Sequence, residues 1–172
     1  MVVEHLYIRQ ATSRDMEQIH DVIVKSHWFT YNDLFAPSSI EKIIERYYNP
    51  ERLLEEITCI NATWHGYIVA IVNEKIIGVI GGGMREEEEG EVYVLYLDPE
   101  VRNNGVGTEL LIKFTMIQKF TYGAKEQWVA VAQGNKYGIP FYEARGFEFQ
   151  YASPSYAAID DNDVSLWYKR NI

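Results

Sequence analysis

The segment EVYVLYLDPEVRNNGVGTELL, residues 91–111, constrains the fold more than any other part of the sequence. Its first seven residues are mostly β-branched or aromatic and predict a strand at 91–97. Apolar residues then recur at helical spacing from Thr108 to about Tyr122 and predict a long amphipathic helix. The connecting loop carries Gly105 and Gly107. In a strand–loop–helix unit of this kind, loop N–H groups and the helix dipole can bind a phosphate.

Hydrophobic periodicity in the rest of the chain predicts an α/β fold. The other predicted strands lie at 6–9, 64–72, 76–83, 127–132, 147–151 and 164–170, and the other predicted helices begin at Thr12 or Ser13, at Pro37, near Leu53 and at 135. The strand–helix–strand order over 91–132 requires a right-handed parallel crossover. We therefore expect one domain, residues 1–172, with a mixed, mostly antiparallel sheet, a central parallel strand pair and flanking helices.

The composition limits the kinds of molecule that the protein is expected to bind. The formal net charge of −9 disfavours binding to nucleic acid and favours a cationic partner. The single cysteine, Cys59, excludes an intrachain disulfide, and we expect it to be buried among apolar side chains. No signal peptide or membrane span is recognisable, so we expect a cytoplasmic protein without a membrane partner. The glutamate run between Arg85 and Gly90 is expected to be a solvated hairpin loop.

The loop before the long helix is a candidate pyrophosphate site. It consists of Arg102, Asn103, Asn104, Gly105, Val106, Gly107 and Thr108. Glycine permits both the backbone angles and the close approach of a phosphate. A plain reversing turn of Asn and Gly residues remains the alternative. The spacing lacks the third glycine of a dinucleotide motif and the Gly-Lys-Ser/Thr of a triphosphate loop, which disfavours both of those classes.

This loop resembles the coenzyme A signature of the GNAT family of N-acetyltransferases, Arg/Gln-x-x-Gly-x-Gly/Ala, preceded here by Leu-Tyr-Leu-Asp-Pro. A second similarity follows at Asn135, Phe141, Tyr142 and 145–147 (RGF). The order of elements agrees over nearly the whole chain. The resemblance implies acetyl-coenzyme A as cosubstrate, a primary amine as acceptor, direct transfer in a ternary complex and no metal.

The resemblance also implies roles for single residues. The backbone of Leu95, Tyr96 and Leu97 would bind the pantetheine arm where a β-bulge splays the sheet, and Arg102 to Thr108 would bind the pyrophosphate. Asn135 would lie against the cofactor arm. Tyr142 would be the general acid for the departing thiolate, or else only an aromatic packing on the sheet.

Glu91 stands where relatives often place the carboxylate that removes the amine proton. The alternative is a solvated residue at the end of the acidic loop. In a regular strand, Glu91, Tyr93 and Leu95 are expected to share one face.

Two departures from the family pattern bear on Tyr142 and on the loop. Gly138 stands where relatives usually have alanine, and Pro140 precedes Phe141 and Tyr142, so the angle of Tyr142 is in question. Asn103 and Asn104 leave Arg102 as the one cation expected in the loop.

An aromatic and acidic cluster after the first helix is the candidate wall of the acceptor site. It comprises His27, Trp28, Phe29, Tyr31, Asn32 and Asp33, with Trp28, Tyr31 and Asp33 predicted, together with Tyr93, to contact the substrate. The alternative is that its aromatic rings only fill the core at a helix end. The stretch from Ser26 to Ile57 loosely resembles the bacterial polyamine-acetylating subgroup.

Several functional alternatives remain open. Protein N-termini, aminoglycosides and amino acids are alternative acceptors to a polyamine. A non-catalytic acyl-coenzyme A sensor and a purely structural domain are the alternative functions. By analogy with similar proteins, a homodimer is an alternative to a monomer.

Overall fold

The computed structural model describes residues 5–155 and 162–172, in which seven strands form one sheet and five α-helices pack on it. The strands are β1 (Tyr7–Gln10), β2 (Tyr67–Val72), β3 (Lys75–Glu86), β4 (Glu89–Leu97), β5 (Glu126–Ala132), β6 (Glu148–Pro154) and β7 (Val164–Asn171). The helices are α1 (Met16–Tyr31), α2 (Pro37–Tyr47), α3 (Pro50–Thr58), α4 (Val106–Met116) and α5 (Gly138–Glu143).

The sheet is mixed, as predicted. Its strand order is β1-β2-β3-β4-β5-β7-β6, with β4 and β5 parallel and the other neighbours antiparallel. The crossover from β4 to β5 runs through α4, which the strand–loop–helix pattern anticipated. Pairing between β4 and β5 covers Glu89–Val92 and Glu126–Val129 and then ends. Beyond Val92 the two strands diverge and leave a cleft through the sheet.

A β-bulge in β4 adjoins this divergence. Gly81 pairs with Val94 while Gly82 pairs with Val92, so Tyr93 is the extra residue. A bulge interrupts the alternation of side chains between the two faces. Leu95 therefore packs in the core on the α4 side, whereas Tyr93 packs in the core on the α1 side. The prediction that Glu91, Tyr93 and Leu95 share one face is wrong, because it assumed a regular strand.

Two hydrophobic cores hold the helices on the sheet. On one side α4 buries Leu110, Leu111 and Phe114. On the other side α1 buries Ile19 and Ile23, and α3 adds further apolar residues. Proline is the first residue of α2 and of α3. The N–H that proline lacks would have no acceptor within the helix at this position, so proline costs no helical hydrogen bond.

Helix boundaries differ from those predicted in two places. α1 continues to Tyr31, beyond the predicted end near Trp28, and so brings Tyr31 to the cleft. α4 ends at Met116 and is followed by a π-helical turn at Ile117–Thr121. A π-helical turn changes which side chains face the sheet, and periodicity at 3.6 residues does not detect it.

Two other predictions concern exposed residues. The glutamate run forms a tight turn at 87–88, and Glu86, Glu87 and Glu88 are exposed as predicted. The prediction that Cys59 is buried is wrong. Its thiol is exposed because the residue ends α3 at the surface, where its N–H donates to the Glu55 carbonyl.

Candidate active site

The cleft between β4 and β5 joins two cavities. The Tyr142 cavity, with about 730 Å³ of empty space including open solvent, is lined by residues of α1, α4, α5, β4 and β5. The Glu91 cavity, with about 860 Å³ of such space, is lined by residues of α1, α2, β4, β5 and β7. The residues lining both cavities are Tyr31, Val92, Tyr93, Tyr96 and Ala130. Two reactants, one in each cavity, could therefore meet at these shared residues.

Most of the predicted cofactor residues surround the Tyr142 cavity. Those that line it are Leu95, Tyr96, Leu97, Arg102, Gly107, Asn135 and Tyr142. The others, Asn103, Asn104, Gly105, Val106 and Thr108, form the adjoining loop and first turn of α4 without lining the cavity.

Glycine is required at two points of this loop for different reasons. Gly105 is the N-cap of α4 with φ of +80°, and an added Cβ would meet no atom within 4 Å. A Cβ on Gly107 would lie 3.1 Å from Phe141 Cε2 and 3.3 Å from Leu97 Cδ1. Gly105 thus sets the backbone angle at an open surface, and Gly107 permits close packing against α5.

Arg102 lies across the Tyr142 cavity. Its guanidinium carbon is 4.8 Å from the Phe29 ring centroid and 4.6 Å from that of Tyr137. One terminal nitrogen donates to Thr30 Oγ1 at 3.0 Å, and burial lowers the pKa of the guanidinium. The Nε atom is buried and has no hydrogen-bond partner among the described residues. The N–H at Arg102 Nε is therefore available to donate to an anion.

Arg145 is a second cation at the same helix end, so the expectation of Arg102 as the one cation there is wrong. Its Nε donates to Thr108 Oγ1 at 3.0 Å, and its Nη1 donates to the Phe141 carbonyl at 2.7 Å. Thr108 belongs to the first turn of α4. Arg145 is 37 residues away from Thr108 in sequence, and the RGF motif alone does not indicate this contact.

Asn135 and Tyr142 are both nearly buried, at 7% and 6% exposure. The Asn135 side-chain oxygen accepts from the N–H groups of Tyr137 and Gly138 and so orders the start of α5. A Cβ on Gly138 would lie 2.8 Å from Asn135 Nδ2, which explains why glycine stands there. Pro140 lies in the first turn of α5, where its missing N–H loses no helical bond.

The phenol of Tyr142 faces the cavity between the edges of Phe141 and Phe147, each at a ring-centroid distance near 5 Å (5.1 and 5.2 Å). Burial raises its pKa, so the phenol stays protonated at neutral pH. A protonated phenol in this place can donate a proton to an anion in the cavity.

Glu91 lines the opposite cavity and is 7% exposed. Burial raises the pKa of its carboxyl from 4.5 to about 7, and the charge of Arg85 opposes this shift. The alternative interpretation of Glu91, a solvated residue at the end of the acidic loop, is therefore wrong. A carboxylate with a pKa near neutrality can accept a proton at physiological pH.

Gln118 is a fully buried residue that the sequence did not indicate. It lies on the π-helical turn, and its Nε2 donates to the carbonyls of Gly83 and Glu91 at 3.2 Å each. Its oxygen accepts from Gln127 Nε2 at 2.9 Å. Gln118 thereby fixes the Glu91 backbone from the opposite face of the sheet. A glutamine on the apolar face of a predicted amphipathic helix is the signal that could have found it.

Half-buried tyrosines and a buried imidazole lie where the two cavities adjoin. His27 Nε2 lies 3.3 Å from the Tyr96 hydroxyl, and the His27 ring packs on those of Tyr31, Tyr48 and Tyr96. Burial lowers the pKa of His27 to about 4, so its ring is neutral at pH 7. His27 is consequently a structural partner of the phenols at this pH.

The predicted acceptor wall is only partly at the cleft. Tyr31 and Tyr93 line both cavities. Trp28 and Asp33 line neither cavity, and Asp33 is exposed and pairs with Lys136 at 3.3 Å. Phe29 and Asn32 are also exposed, although the Phe29 ring packs on Arg102. The last turn of α1 therefore directs only some of these side chains inward.

Within residues 5–155 and 162–172, no three His, Cys, Asp or Glu side chains are grouped as metal ligands would be. In the same parts of the chain, none of the helices has the length and apolar character needed to cross a membrane.

Comparison with known proteins agrees with this architecture. A spermidine N(1)-acetyltransferase from Thermoplasma acidophilum is 28% identical over 144 residues, which are 83% of this chain and 88% of that protein. The structure of PaiA N-acetyltransferase from T. acidophilum in complex with coenzyme A matches with a TM-score of 0.81 and 27% identity, over 96% of this chain and 99% of that one. An acetyltransferase from Thermus thermophilus shares the fold, with a TM-score of 0.70, 16% identity and full coverage of both chains.

The model of the acetyltransferase (GNAT) family matches residues 27–147. This range includes the diverging strands β4 and β5, the glycine loop and Tyr142. The chain therefore belongs to the acetyltransferase (GNAT) family and is an acetyltransferase.

Proposed function

We propose that this enzyme transfers the acetyl group of acetyl-coenzyme A to a primary amine of a polyamine by direct attack in a ternary complex. The observation that carries the proposal is the cleft through the sheet, with a buried carboxylate, Glu91, on one side and a buried phenol, Tyr142, on the other. A base and an acid on opposite sides of one reaction centre suit transfer without a covalent enzyme intermediate.

The Tyr142 cavity fits coenzyme A. The open edge of β4 at 95–97 offers backbone groups to an amide-bearing arm, and the N-terminus of α4 with Arg102 offers positive potential to a diphosphate. The protein bound to coenzyme A at a TM-score of 0.81 supports this placement. Acetyl-coenzyme A supplies the thioester carbonyl that the amine attacks.

The residues of this chain then move two protons. Glu91 takes a proton from the ammonium group, directly or through a water, and leaves a free amine lone pair. As the new C–N bond forms and the C–S bond breaks, the N–H groups of the open β4 edge stabilise the oxyanion. Tyr142 donates its proton to the departing sulfur. The attacking nitrogen, which is positively charged once the C–N bond has formed, loses its second proton to solvent, from which Tyr142 regains one, and Glu91 releases its own proton to solvent.

The chemistry of the Glu91 cavity favours a cationic acceptor. It is lined by Glu91, Asp163 and the rings of Tyr31, Phe35, Tyr47, Tyr48, Tyr93 and Tyr96, with neither lysine nor arginine among the described lining residues. Carboxylates and aromatic faces both attract ammonium groups. The spermidine acetyltransferase that is 28% identical supports a polyamine over other amines.

A panel of amines tests the proposal by thiol release from acetyl-coenzyme A. The panel contains spermidine, spermine, a monoamine of matched length, an aminoglycoside, an amino acid and a peptide N-terminus. We expect kcat/KM to be highest for the polyamines and to depend on Glu91. Binding of acetyl-coenzyme A without amine-dependent thiol release would instead indicate a sensor. Faster turnover of the peptide or the aminoglycoside would contradict the polyamine assignment.

A further inference from the structure

Arg85 is held between two indole rings beside the active site. It lies in β3 where the pairing with β4 shifts between Met84 and Glu86, so a bulge directs its side chain. Its guanidinium carbon is 4.4 Å from the Trp128 ring centroid and 4.9 Å from that of Trp167. A cation packed on aromatic faces gains an attraction that is stronger where water is excluded.

We call the rings of Trp128 and Trp167 the indole clamp, and each ring is fixed by a hydrogen bond. Trp128 Nε1 donates to a carboxylate oxygen of Glu126 at 3.3 Å. Trp167 Nε1 donates to Ser153 Oγ at 2.9 Å. Because neither ring can turn freely, the guanidinium between them has a defined position. The charge of Arg85 is therefore part of the architecture and not that of a mobile surface side chain.

The clamp lies next to Glu91. Trp128 on β5 is the register partner of Glu91 on β4, so Arg85 must cross β4 to reach that ring. Its Nε lies 3.7 Å from the carboxylate of Glu89, two residues before Glu91 on the same face of the strand. Its Nη1 is buried and has no hydrogen-bond partner among the described residues.

We propose that Arg85 is a positioning residue for the reaction: the indole clamp fixes its positive charge beside Glu91 and favours the ionised form of that carboxyl. The inference rests on the proposed function, in which Glu91 accepts the proton of the amine. Without a fixed cation, the apolar surroundings of Glu91 favour the neutral acid, which cannot act as a base.

The other groups around Glu91 do not supply this charge. The titratable and charged groups that face it or line its cavity are Glu89, Tyr93 and Tyr96 on β4, Glu126 on β5, Asp163 and Lys169 at β7, His27 and Tyr31 on α1, and Tyr47 and Tyr48 at α2. His27 is neutral at pH 7, since its pKa is about 4. Lys169 is bound to Glu126 at 2.8 Å. Arg85 lowers the pKa of Glu91 against the effect of burial.

The test is a direct titration of the Glu91 carboxyl carbon by NMR in the full chain, assigned by its absence in Glu91→Gln. Arg85→Gln removes the charge and keeps a polar side chain, whereas Arg85→Lys keeps the charge. Lys169→Gln is the matched control, because Lys169 lies 5.3 Å from the same Trp128 ring. Thermal unfolding of each variant checks that the fold is intact.

In Arg85→Gln we expect the titration midpoint of the Glu91 carboxyl to rise by about one pH unit, because a nearby opposite charge is lost. The kcat/KM with spermidine should then fall about tenfold at pH 6 and change less than about twofold at pH 9, where the carboxyl is ionised in both proteins. Arg85→Lys should restore most of the profile. Lys169→Gln should leave the titration midpoint of Glu91 within about 0.3 units, since the Lys169 charge is only half-buried and is already paired with Glu126.

An unchanged midpoint in Arg85→Gln, or an equal shift in Lys169→Gln, would overturn the proposal. A different result would contradict the proposed function. If Glu91→Gln kept the wild-type pH–rate profile, Glu91 would not be the base. The carboxyl titration would still decide whether Arg85 controls the ionisation of Glu91.

Discussion

The carboxyl of Glu91 is buried in the folded protein, although water solvates a carboxylate better than the protein interior does. At 7% exposure its charged form lacks most of its hydration, and its pKa rises from 4.5 to about 7. The unfolded chain ionises this group more readily than the folded protein does. Ionisation of Glu91 therefore destabilises the fold.

Glu91→Gln should for this reason stabilise the protein at high pH. Relative to the variant, the wild type loses stability as pH rises from about 4.5 to about 7, the ordinary and the folded pKa values of this carboxyl. We expect the free energies of unfolding to agree near pH 4 and to differ by about 3 kcal/mol at pH 8, in favour of the variant. Urea denaturation at both pH values measures this. A pH-independent difference would contradict the burial of an ionisable group.

Tyr142→Phe tests whether Tyr142 is the general acid, because it removes the hydroxyl and keeps the aromatic ring. We expect kcat to fall roughly 100-fold, because general acid catalysis supplies that order of rate, with little change in the dissociation constant of acetyl-coenzyme A. Tyr168→Phe is the matched control: Tyr168 is equally buried, but its hydroxyl donates to Glu143 at 3.4 Å outside the two cavities. Equal losses in the two variants would assign Tyr142 a packing role only.

At the scale of elements, the N-terminus of α4 is the part of the fold on which we propose that cofactor binding depends. Its N-cap, Gly105, exposes an open backbone with φ of +80° next to the Tyr142 cavity. Successive N–H groups at such an end have no partner within the helix and are available to an anion. This arrangement compensates for the net charge of −9, which repels an anionic cofactor.

Gly105→Glu should weaken binding of acetyl-coenzyme A at least roughly 100-fold, because a carboxylate then occupies the anion site. Gly123→Glu is a matched control, since Gly123 also has a positive φ (+74°) and open space at its Cβ. The two variants share the backbone strain and the added charge, and differ in position. Calorimetric titration measures both, and similar affinities would exclude the helix end as the anion site.

The π-helical turn after α4 is the second element that shapes the site. It places Gln118 under Gly90, where an added Cβ would lie 2.5 Å from the glutamine oxygen. The same side chain supports the Glu91 carbonyl. One irregular turn on the α4 side thus fixes the strand that carries Glu91, the proposed base.

At the scale of the whole molecule, we propose that charge separates the two substrates. The net charge of −9 favours the approach of a polycation, whereas an anionic cofactor would be attracted only by the local potential of the α4 N-terminus. With acetyl-coenzyme A saturating, raising the ionic strength from about 0.02 to 0.5 M should lower kcat/KM for spermidine roughly tenfold and for a monoamine less than twofold. Steady-state assays across this range measure both. Parallel curves for the two amines would show that charge does not select the acceptor.

The sequence by itself determined the features that depend on neighbouring residues. The strand–loop–helix order, the positive φ at Gly105 and the mixed sheet follow from local propensity, glycine chemistry and the right-handed crossover rule. The family and the enzyme class followed from two motifs whose residues stand at short spacing. For these features, the information lies in short motifs and in the order of neighbouring elements along the chain.

Only the tertiary structure decided which distant side chains meet. Arg145 reaches Thr108 across 37 residues, Gln118 reaches Gly83 across 35, and Arg85 lies on both Trp128 and Trp167. The bulge at Tyr93 likewise reversed the expected face of Leu95. Periodicity predicts which face of a regular element is buried, but bulges and π-helical turns break that period, and contacts between elements depend on how the whole chain packs.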